Sequence, residues 1–245
     1  ANLDGDCWVL DGTKAWVTSG THAGVVLAMA RTDCSGGRRG ARGIGAFIVT
    51  PDLHGYSVGK KEDKMGLRAS PTVQLRFDNM RVPVENLLGE PDMGFFHAMQ
   101  SLDTGRLGIA AQAVGIAQAA LTHASRYAAE RRQFGKPIKE FQAIQFRLAD
   151  MATRVAASRA LLHAAATARD RGQHITQFSA MAKLMASEAA MWVTTQAIQI
   201  FGGYGYSADY QAEKAYTDSR INRIFEARNE INRLTASFNR DGAFI

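Results

Sequence analysis

The sequence is poor in cysteine, with only Cys7 and Cys34 among its 245 residues. Two cysteines cannot build a disulfide framework, and the six histidines show none of the paired spacing of a zinc-binding helix. These absences exclude a disulfide-stapled scaffold and predict that the protein holds no metal. They also favour a reducing compartment, where free thiols persist.

Long apolar runs are scarce as well. No run approaches the roughly 20 residues that span a bilayer, and no signal peptide heads the chain, so we expect no membrane span. The sequence also lacks a GxGxxG loop after a strand, a GxxxxGK(S/T) loop and a Gly-x-Ser-x-Gly turn. A nucleotide cofactor is therefore expected to bind without a Rossmann or P-loop motif.

Positive charge is in excess but dispersed. Lys and Arg number 29 against 23 Asp and Glu, which gives a net charge of +6 and a pI of about 9.5. Such a balance suits acidic partners, whether nucleic acid, an anionic membrane surface or a phosphorylated cofactor. We expect no nucleic-acid role, because neither a block of five like charges nor a reading motif accompanies the charge.

The first 92 residues show the short strands and turn signals of β-structure. Asp11-Gly12 lies between CWVL and TKAWVTS and predicts a hairpin turn. GVVLAMAR, IGAFIVT, YSVGKK and TVQLRFDNMRV predict further strands, and the glycine-rich segment 33–43 predicts a hairpin loop. The pattern indicates a compact antiparallel sheet or barrel-like domain, expected to be incomplete at its N-terminal end because the chain opens almost directly on a strand-like segment.

From about residue 93 the apolar period becomes helical. The predicted first helix ends near Glu130, the second has Pro137 in its first turn, and the third runs from about Gln177 to FGGYGY. Two shorter helices are predicted after it, at about 209–223 and from about 228. The fold class is therefore predicted as α+β, a β domain (1–92) followed by an antiparallel helical bundle (93–245).

Apolar spacing also predicts which helix positions face the bundle core. In the second helix the spacing alternates threes and fours, as in the seam of a long packed helix. In the third helix a Met and Trp stripe is predicted to point inward. The predicted core positions are Leu107, Ala111, Val114, Gln118, Leu121, Ser125, Phe141, Ile144, Leu148, Met151, Val155, Ser158, Leu162, Phe178, Met181, Met185 and Trp192.

Four segments of the helical half carry candidate chemistry. SLDTGRLG (101–108) puts a carboxylate and a guanidinium three residues apart, and ERRQFGKP (130–137) joins guanidinium groups to an aromatic ring, which suits a phosphate or a stacked ring. QIFGGYGY (199–206) has adjacent glycines that admit close approach to the backbone. RINRIFEARNEINRL (220–234) places Glu226 among four arginines. Each segment alone is equally compatible with a surface ion pair, a basic loop, a helix cap or a solvated charge.

Taken in order with GTKAWVTSG and FQAIQFRLADM, these segments resemble the acyl-CoA dehydrogenase family over essentially the whole chain, and most of all its short-chain branch. The resemblance implies a flavoprotein oxidoreductase of fatty acid β-oxidation, which uses FAD to convert an acyl-CoA thioester into the trans-2-enoyl-CoA. It further implies electron transfer to an electron-transfer flavoprotein and a homotetramer. The implied location is a bacterial cytoplasm or the mitochondrial matrix.

The resemblance also assigns roles to residues. Glu226 matches the family's catalytic base, which needs a water-excluding site because a free glutamate is a poor base for so weak a carbon acid. Gly105 lies where some branches of the family carry the base, and it has no acidic group. Asp103 and Arg106 match residues that hold the CoA portion. Positions that match FAD-binding residues are Trp16, Thr18, Arg131, Gln133, Phe134, Gln199, Gly202, Gly203, Arg228 and Glu230.

Two departures from the family pattern keep alternatives open. After the base, the usual Gly-Thr-Ser is replaced by Ala227, Arg228 and Asn229, so we expect a reshaped loop in which Arg228 either contacts a phosphate or crowds the site. The family's N-terminal helical domain has no counterpart in these 245 residues. The alternatives are a flavin oxidase or monooxygenase on the same fold, and a non-catalytic CoA-binding or assembly subunit.

Overall fold

A computed structural model describes residues 1–32 and 40–237. The chain divides into two compact units, Ala1–Ser101 and Leu102–Ile245. The sequence-based boundary between residues 92 and 93 stays a prediction.

Unit 1 is built from antiparallel strands, as the sequence pattern predicts. The strands are β1 (Asn2–Asp4), β2 (Cys7–Thr18), β3 (Val26–Arg31), β4 (Ile44–Val49), β5 (Tyr56–Lys61) and β6 (Thr72–Pro83). One sheet has the order β1-β2-β6-β5, and β3 pairs with β4 in a second sheet, from Val26 opposite Val49 to Arg31 opposite Ile44. Of the predicted hairpin loop 33–43, residues 33–39 lie outside the described part of the chain.

The core of unit 1 lies between these sheets. The first residues of β2, Cys7 to Leu10, and most of β6 alternate between more and less buried positions, because successive side chains of a strand point to opposite faces. Trp8 of β2 meets Phe47 of β4 edge to face, with ring centroids 5.5 Å apart. The buried cluster joins Leu10, Val49, Val73, Leu75, Phe77, Met80 and Val82 to this pair.

The predicted hairpin turn at Asp11-Gly12 is wrong. Strand β2 continues through both residues, and its pairing with β6 shifts register between Leu10 and Gly12. Gly12 has a φ of +145°, which allows the backbone to take up an irregularity within a strand. Aspartate-glycine suits a turn and a bulge alike, and the long-range pairing with β6 decides between them.

Unit 2 is a helical bundle, as predicted. The helices are α1 (Gly94–Glu130), which begins in unit 1, then α2 (Gln142–Asp170), α3 (Thr176–Phe201), α4 (Gln211–Arg220) and α5 (Asn229–Ser237). Asp103 near the start of α1 contacts Thr176 at the start of α3, and Tyr127 near the end of α1 stacks on Phe201 at the end of α3. Helices α1 and α3 therefore run the same way, and α2 returns between them.

The predicted core faces are right for α2 and partly wrong for α1 and α3. Met151, Val155, Ser158 and Leu162 are buried as predicted, whereas Ala111, Ser125 and Met185 are exposed. The buried faces of α1 and α3 consist mostly of small residues. Hydrophobic patterning missed these faces because it gives more weight to large apolar residues. The buried alanines of these two helices are Ala110, Ala113, Ala117, Ala120, Ala124 and Ala128 of α1, and Ala180, Ala182, Ala186, Ala189, Ala190 and Ala197 of α3.

The connection from α1 to α2 also differs from its prediction. Pro137 lies in a short strand, β8 (Lys136–Pro137), which pairs with β7 (Arg132–Gln133), and α2 begins only at Gln142. The ring of proline fixes φ near −65°, a value that suits an extended edge as well as a helix start. Residues 131–138 are thereby held as a small hairpin between the two helices.

Helix α1 is long and apolar enough to cross a membrane by length and composition. That finding is a weak sign of a membrane span, because the core helix of a water-soluble protein passes the same test. The alanine stripe of α1 belongs to the buried cluster of unit 2.

Candidate active site

The residue predicted to be a base lies in a short strained loop. Residues 224–228, termed the base loop, follow the 3-10 turn Ile221–Arg223 and lead into α5. Glu226 and Ala227 have φ values of +50° and +68°. A left-handed conformation costs an L-residue roughly 1–2 kcal/mol, so the surrounding contacts must hold two such residues in succession.

Two side chains hold the base loop through one carbonyl group. Lys183 of α3 donates from Nζ to the carbonyl oxygen of Ala227 over 2.8 Å. Asn232 of α5 donates to the same oxygen over 2.9 Å and to the carbonyl oxygen of Arg228 over 3.2 Å. Both side chains are buried, so the carbonyl groups accept hydrogen bonds from protein donors in place of water.

Lys183 is part of a wider polar network on α3. Its Nζ also donates to Oδ1 of Asn229 over 2.9 Å, and Asn229 donates to Ser187 and Glu188 over 3.0 Å each. Glu188 in turn pairs with Arg223 and, through an N–O distance of 3.1 Å, with Arg233. Burial and the Arg106 guanidinium lower the pKa of Lys183 to about 8, so the ammonium form predominates at neutral pH.

The carboxyl group of Glu226 packs against the backbone of α1 at Gly105. A Cβ atom placed on Gly105 would lie 2.6 Å from Cδ of Glu226 and 2.6 and 2.9 Å from its two oxygens. Only glycine therefore leaves room for the carboxyl group in this position. Burial raises the pKa of Glu226, and the charges of Arg106 and Lys183 offset part of that rise.

Asp103 and Arg106 lie beside each other on α1, as their spacing predicts. Arg106 Nη1 donates to Asp103 Oδ1 over 2.8 Å, and Thr176 donates to the other carboxylate oxygen. Arg106 is only 4% exposed, and its Nε has no hydrogen-bond partner among the described residues. The pair is thus a buried structural element rather than the surface ion pair that the spacing alone permits.

A second region of unit 2, termed the groove, lies between the end of α1 and the end of α3. It encloses about 870 Å³, and its lining includes four of the predicted FAD-binding residues, Arg131, Gln133, Gly202 and Gly203. Arg131 lies over the ring of Tyr204 at 5.9 Å. Cβ atoms placed on the two glycines would meet no described atom within 4 Å, so their backbone is open to a ligand.

The groove offers the groups that a dinucleotide needs. Its guanidinium suits a phosphate, its exposed amides suit an anion, and its aromatic rings offer stacking surfaces. Tyr127 and Phe201 already stack with centroids 4.3 Å apart, and Tyr210 meets both edge on. The residues present therefore fit a phosphorylated aromatic cofactor such as FAD.

The remaining predicted FAD-binding residues lie elsewhere. Trp16 and Thr18 belong to β2 in unit 1, where Trp16 is 68% exposed with a φ of +62° next to a register shift. Phe134, at the tip of the β7–β8 hairpin, is 92% exposed. Gln199, Arg228 and Glu230 are exposed on unit 2. The structure therefore brings together four predicted FAD-binding residues in the groove, and it places Arg106, with its partner Asp103, near Glu226.

Sequence patterning missed several of the residues that shape these regions. Lys183 falls within a stripe predicted from its methionines, and nothing marked it as buried. The available signal was a single lysine among the small and apolar residues of AMAKLMASEAAM, where a charge is expensive to bury without partners. Of the groove tyrosines, Tyr204 lies within the candidate segment QIFGGYGY, whereas Tyr127 and Tyr210 lie outside the candidate segments and carried no signal of their own.

Comparisons with known proteins identify the family of the chain. Residues 1–80 match the acyl-CoA dehydrogenase middle domain, and residues 92–237 match the acyl-CoA dehydrogenase C-terminal domain. The chain belongs to the acyl-CoA dehydrogenase family. Its antiparallel sheets and helical bundle superpose on solved members of that family.

The relatives point to one branch of the family. The short-chain specific acyl-CoA dehydrogenase of Rattus norvegicus mitochondria is 52% identical over 234 residues, which are 96% of this chain and 56% of the rat protein. Butyryl-CoA dehydrogenase from Megasphaera elsdenii superposes with a TM-score of 0.93 at 45% identity, over 96% of this chain and 61% of that one. A chain in a structure of the electron transferring flavoprotein of Acidaminococcus fermentans superposes equally well, at 47% identity and with the same coverage.

This chain thus spans just over half the length of the relatives that it matches.

Proposed function

We propose that the protein containing this chain is an FAD-dependent acyl-CoA dehydrogenase that acts on short straight-chain thioesters and forms the trans-2-enoyl-CoA. The observation that carries the proposal is the Glu226 carboxyl group, partly buried and packed on Gly105 in a loop fixed from α3 and α5. The two relatives named for short-chain and butyryl-CoA activity support the choice of substrate.

Glu226 acts in this proposal as the base that removes the proton at C2 of the acyl chain. A carboxylate with an ordinary pKa is poorly matched to a thioester α-proton, and burial raises the pKa of Glu226 toward a better match. The positive charges of Arg106 and Lys183 limit that rise in pKa, because they favour the ionised carboxylate. Gly105 contributes only the space that the carboxyl group needs.

The proposed FAD-binding residues are those that the resemblance assigns. Arg131, Gln133, Gly202 and Gly203 line the groove, and Phe134 and Gln199 are proposed contacts by resemblance alone. Trp16, Thr18, Arg228 and Glu230 are further proposed contacts. When bound, FAD would supply the acceptor for the hydride that leaves the β-carbon. Asp103 and Arg106 are proposed to order the CoA portion, as the resemblance implies.

The partners follow from the same proposal. A groove open on its own chain is suited to a cofactor held by a neighbouring subunit, which supports the proposed homotetramer. The Acidaminococcus fermentans relative supports an electron-transfer flavoprotein as the electron acceptor. Mitochondrial and bacterial relatives leave the matrix and the bacterial cytoplasm as the two proposed locations.

The test is an absorbance titration of the purified full-length protein. The expected result is a flavin spectrum that bleaches with butyryl-CoA, and less with octanoyl-CoA or a branched acyl-CoA. Oxygen consumption with peroxide release, and no reduction of the electron-transfer flavoprotein, would identify an oxidase instead. A full-length protein that binds no FAD contradicts the proposal and identifies a CoA-binding or assembly subunit.

A further inference from the structure

The base loop would not hold its shape by backbone preference alone. Glu226 and Ala227 occupy a conformation that L-residues avoid, and Ala227 stands where glycine would adopt it without strain. The direction of the Glu226 side chain depends on these two φ values, because relaxation of either would rotate Cα–Cβ away from Gly105. A residue that fixes them therefore controls where the carboxyl group lies.

Lys183 is placed to do this. It is fully buried on α3, and both hydrogen bonds that the structure gives it end on the loop and on the first residue of α5, at Ala227 and Asn229. A buried ammonium group costs free energy unless such acceptors are present. Loss of the bond to Ala227 would therefore leave the Lys183 charge poorly compensated, and this cost favours keeping the bond. Asn232 donates to the same carbonyl oxygen but is neutral and starts from α5 itself.

We propose that Lys183 is the positioning residue for Glu226: its bond to the Ala227 carbonyl holds the left-handed pair 226–227 and thereby keeps the Glu226 carboxyl group against Gly105. The effect of Lys183 on proton removal rests on the proposed function, whereas its effect on the conformation of the base loop does not. Lys183 itself exchanges no proton with the substrate. Its charge also favours the ionised form of Glu226, together with that of Arg106.

The structural consequence is measured first, on the full-length protein without substrate. Hydrogen–deuterium exchange of the amides in residues 224–228 is expected to rise at least tenfold in Lys183→Met relative to wild type. Lys214→Met is the matched control, since the Lys214 side chain is 63% exposed on α4, and it is expected to leave this exchange unchanged. Equal protection of the loop in Lys183→Met and wild type would overturn the proposal.

The catalytic consequence is measured with acetoacetyl-CoA on the FAD-loaded protein. Its acidic C2 proton leaves without hydride transfer, so the absorbance of the enolate reports the base alone. We expect Lys183→Met to lower the rate of enolate formation about 10- to 100-fold, with FAD content and thioester affinity changed less than threefold. In a Glu226→Gln background the same substitution is expected to have no further effect. A slowing that persists in that background would overturn the proposal.

Two controls keep the outcomes separate. If wild type forms the enolate but is not bleached by butyryl-CoA, the proposed dehydrogenase function fails while the role of Lys183 is still decided by the exchange experiment. If Lys183→Met does not fold, Lys183→Gln replaces it, since it removes the ammonium group that donates to the Ala227 carbonyl oxygen but keeps a polar side chain. That variant is expected to slow enolate formation severalfold, again only when Glu226 is present, and an unchanged rate would count against the proposal.

Discussion

In the base loop the carbonyl oxygen of Ala227 accepts hydrogen bonds from two buried side chains, whereas in the groove the backbone of Gly202 and Gly203 faces open space. The backbone of the base loop is strained at Glu226 and Ala227, but its Ala227 carbonyl oxygen has hydrogen-bond donors within the same unit. The backbone of the groove glycines has no neighbour among the described residues at the positions where a Cβ atom would lie. In the proposed function, the carboxyl group must be positioned before a substrate arrives, whereas the groove residues gain their partner when the cofactor binds.

Replacement of the base is expected to have the largest effect. Glu226→Gln keeps the shape that fits against Gly105 but cannot accept a proton, and general-base catalysis contributes about 10²- to 10⁴-fold. We expect butyryl-CoA to bleach the flavin at least about 10³-fold more slowly, with thioester affinity unchanged, as measured by stopped-flow absorbance and equilibrium titration. Normal bleaching would show that another group is the base.

Displacement of the carboxyl group comes next. In Gly105→Ala the new Cβ would lie 2.6 Å from Cδ of Glu226, so the flexible side chain must move, at an expected cost of about 10²-fold in the rate of flavin reduction. Gly108→Ala is the control, since on the same helix its Cβ would meet no described atom within 4 Å. Equal rates of flavin reduction in Gly105→Ala and Gly108→Ala would show that the fit of the Glu226 carboxyl group against Gly105 does not matter for the reaction.

The groove is expected to respond in cofactor affinity only. Arg131→Ala removes an exposed guanidinium that the described chain uses only over Tyr204, so the melting temperature of the apoprotein should change little. Loss of one charge-assisted contact is expected to weaken FAD binding about 10-fold or more. Fluorescence titration of the apoprotein with FAD measures this effect, and Arg126→Ala, on the exposed side of α1, provides the matched control.

The smallest effect is expected from relief of strain. Ala227→Gly should stabilise the full-length protein by about 0.5–1 kcal/mol, because glycine adopts the φ of +68° without steric cost. Ala111→Gly, at an exposed position inside α1, should destabilise it by about 1 kcal/mol. Denaturant unfolding measures both changes, and equal signs would mean that Ala227 is not strained in solution.

The sequence predicted most of the fold because its elements follow local rules. The β-strands after Gly24 and the seam of α2 come from alternation and helical spacing, which survive in the structure. The errors arise where a distant partner decides, as at Asp11-Gly12 with β6, or where alanine forms the buried stripe and patterning favours larger residues. The contact between Glu226 and Gly105 could not be predicted for the same reason. The two residues are 121 positions apart, and no local sequence pattern indicates that a loop and a helix at that separation meet.

The bond between Lys183 and Ala227 has a consequence for the order of assembly. It joins groups 44 positions apart, and the chain between them includes the rest of α3, the groove glycines and α4. A contact of that separation forms only after the intervening chain has closed into a loop, so the strained pair should acquire its native conformation later than the local turns of α3 and α4. The proposed proton transfer would then depend on closure of this long loop and not on helix formation alone.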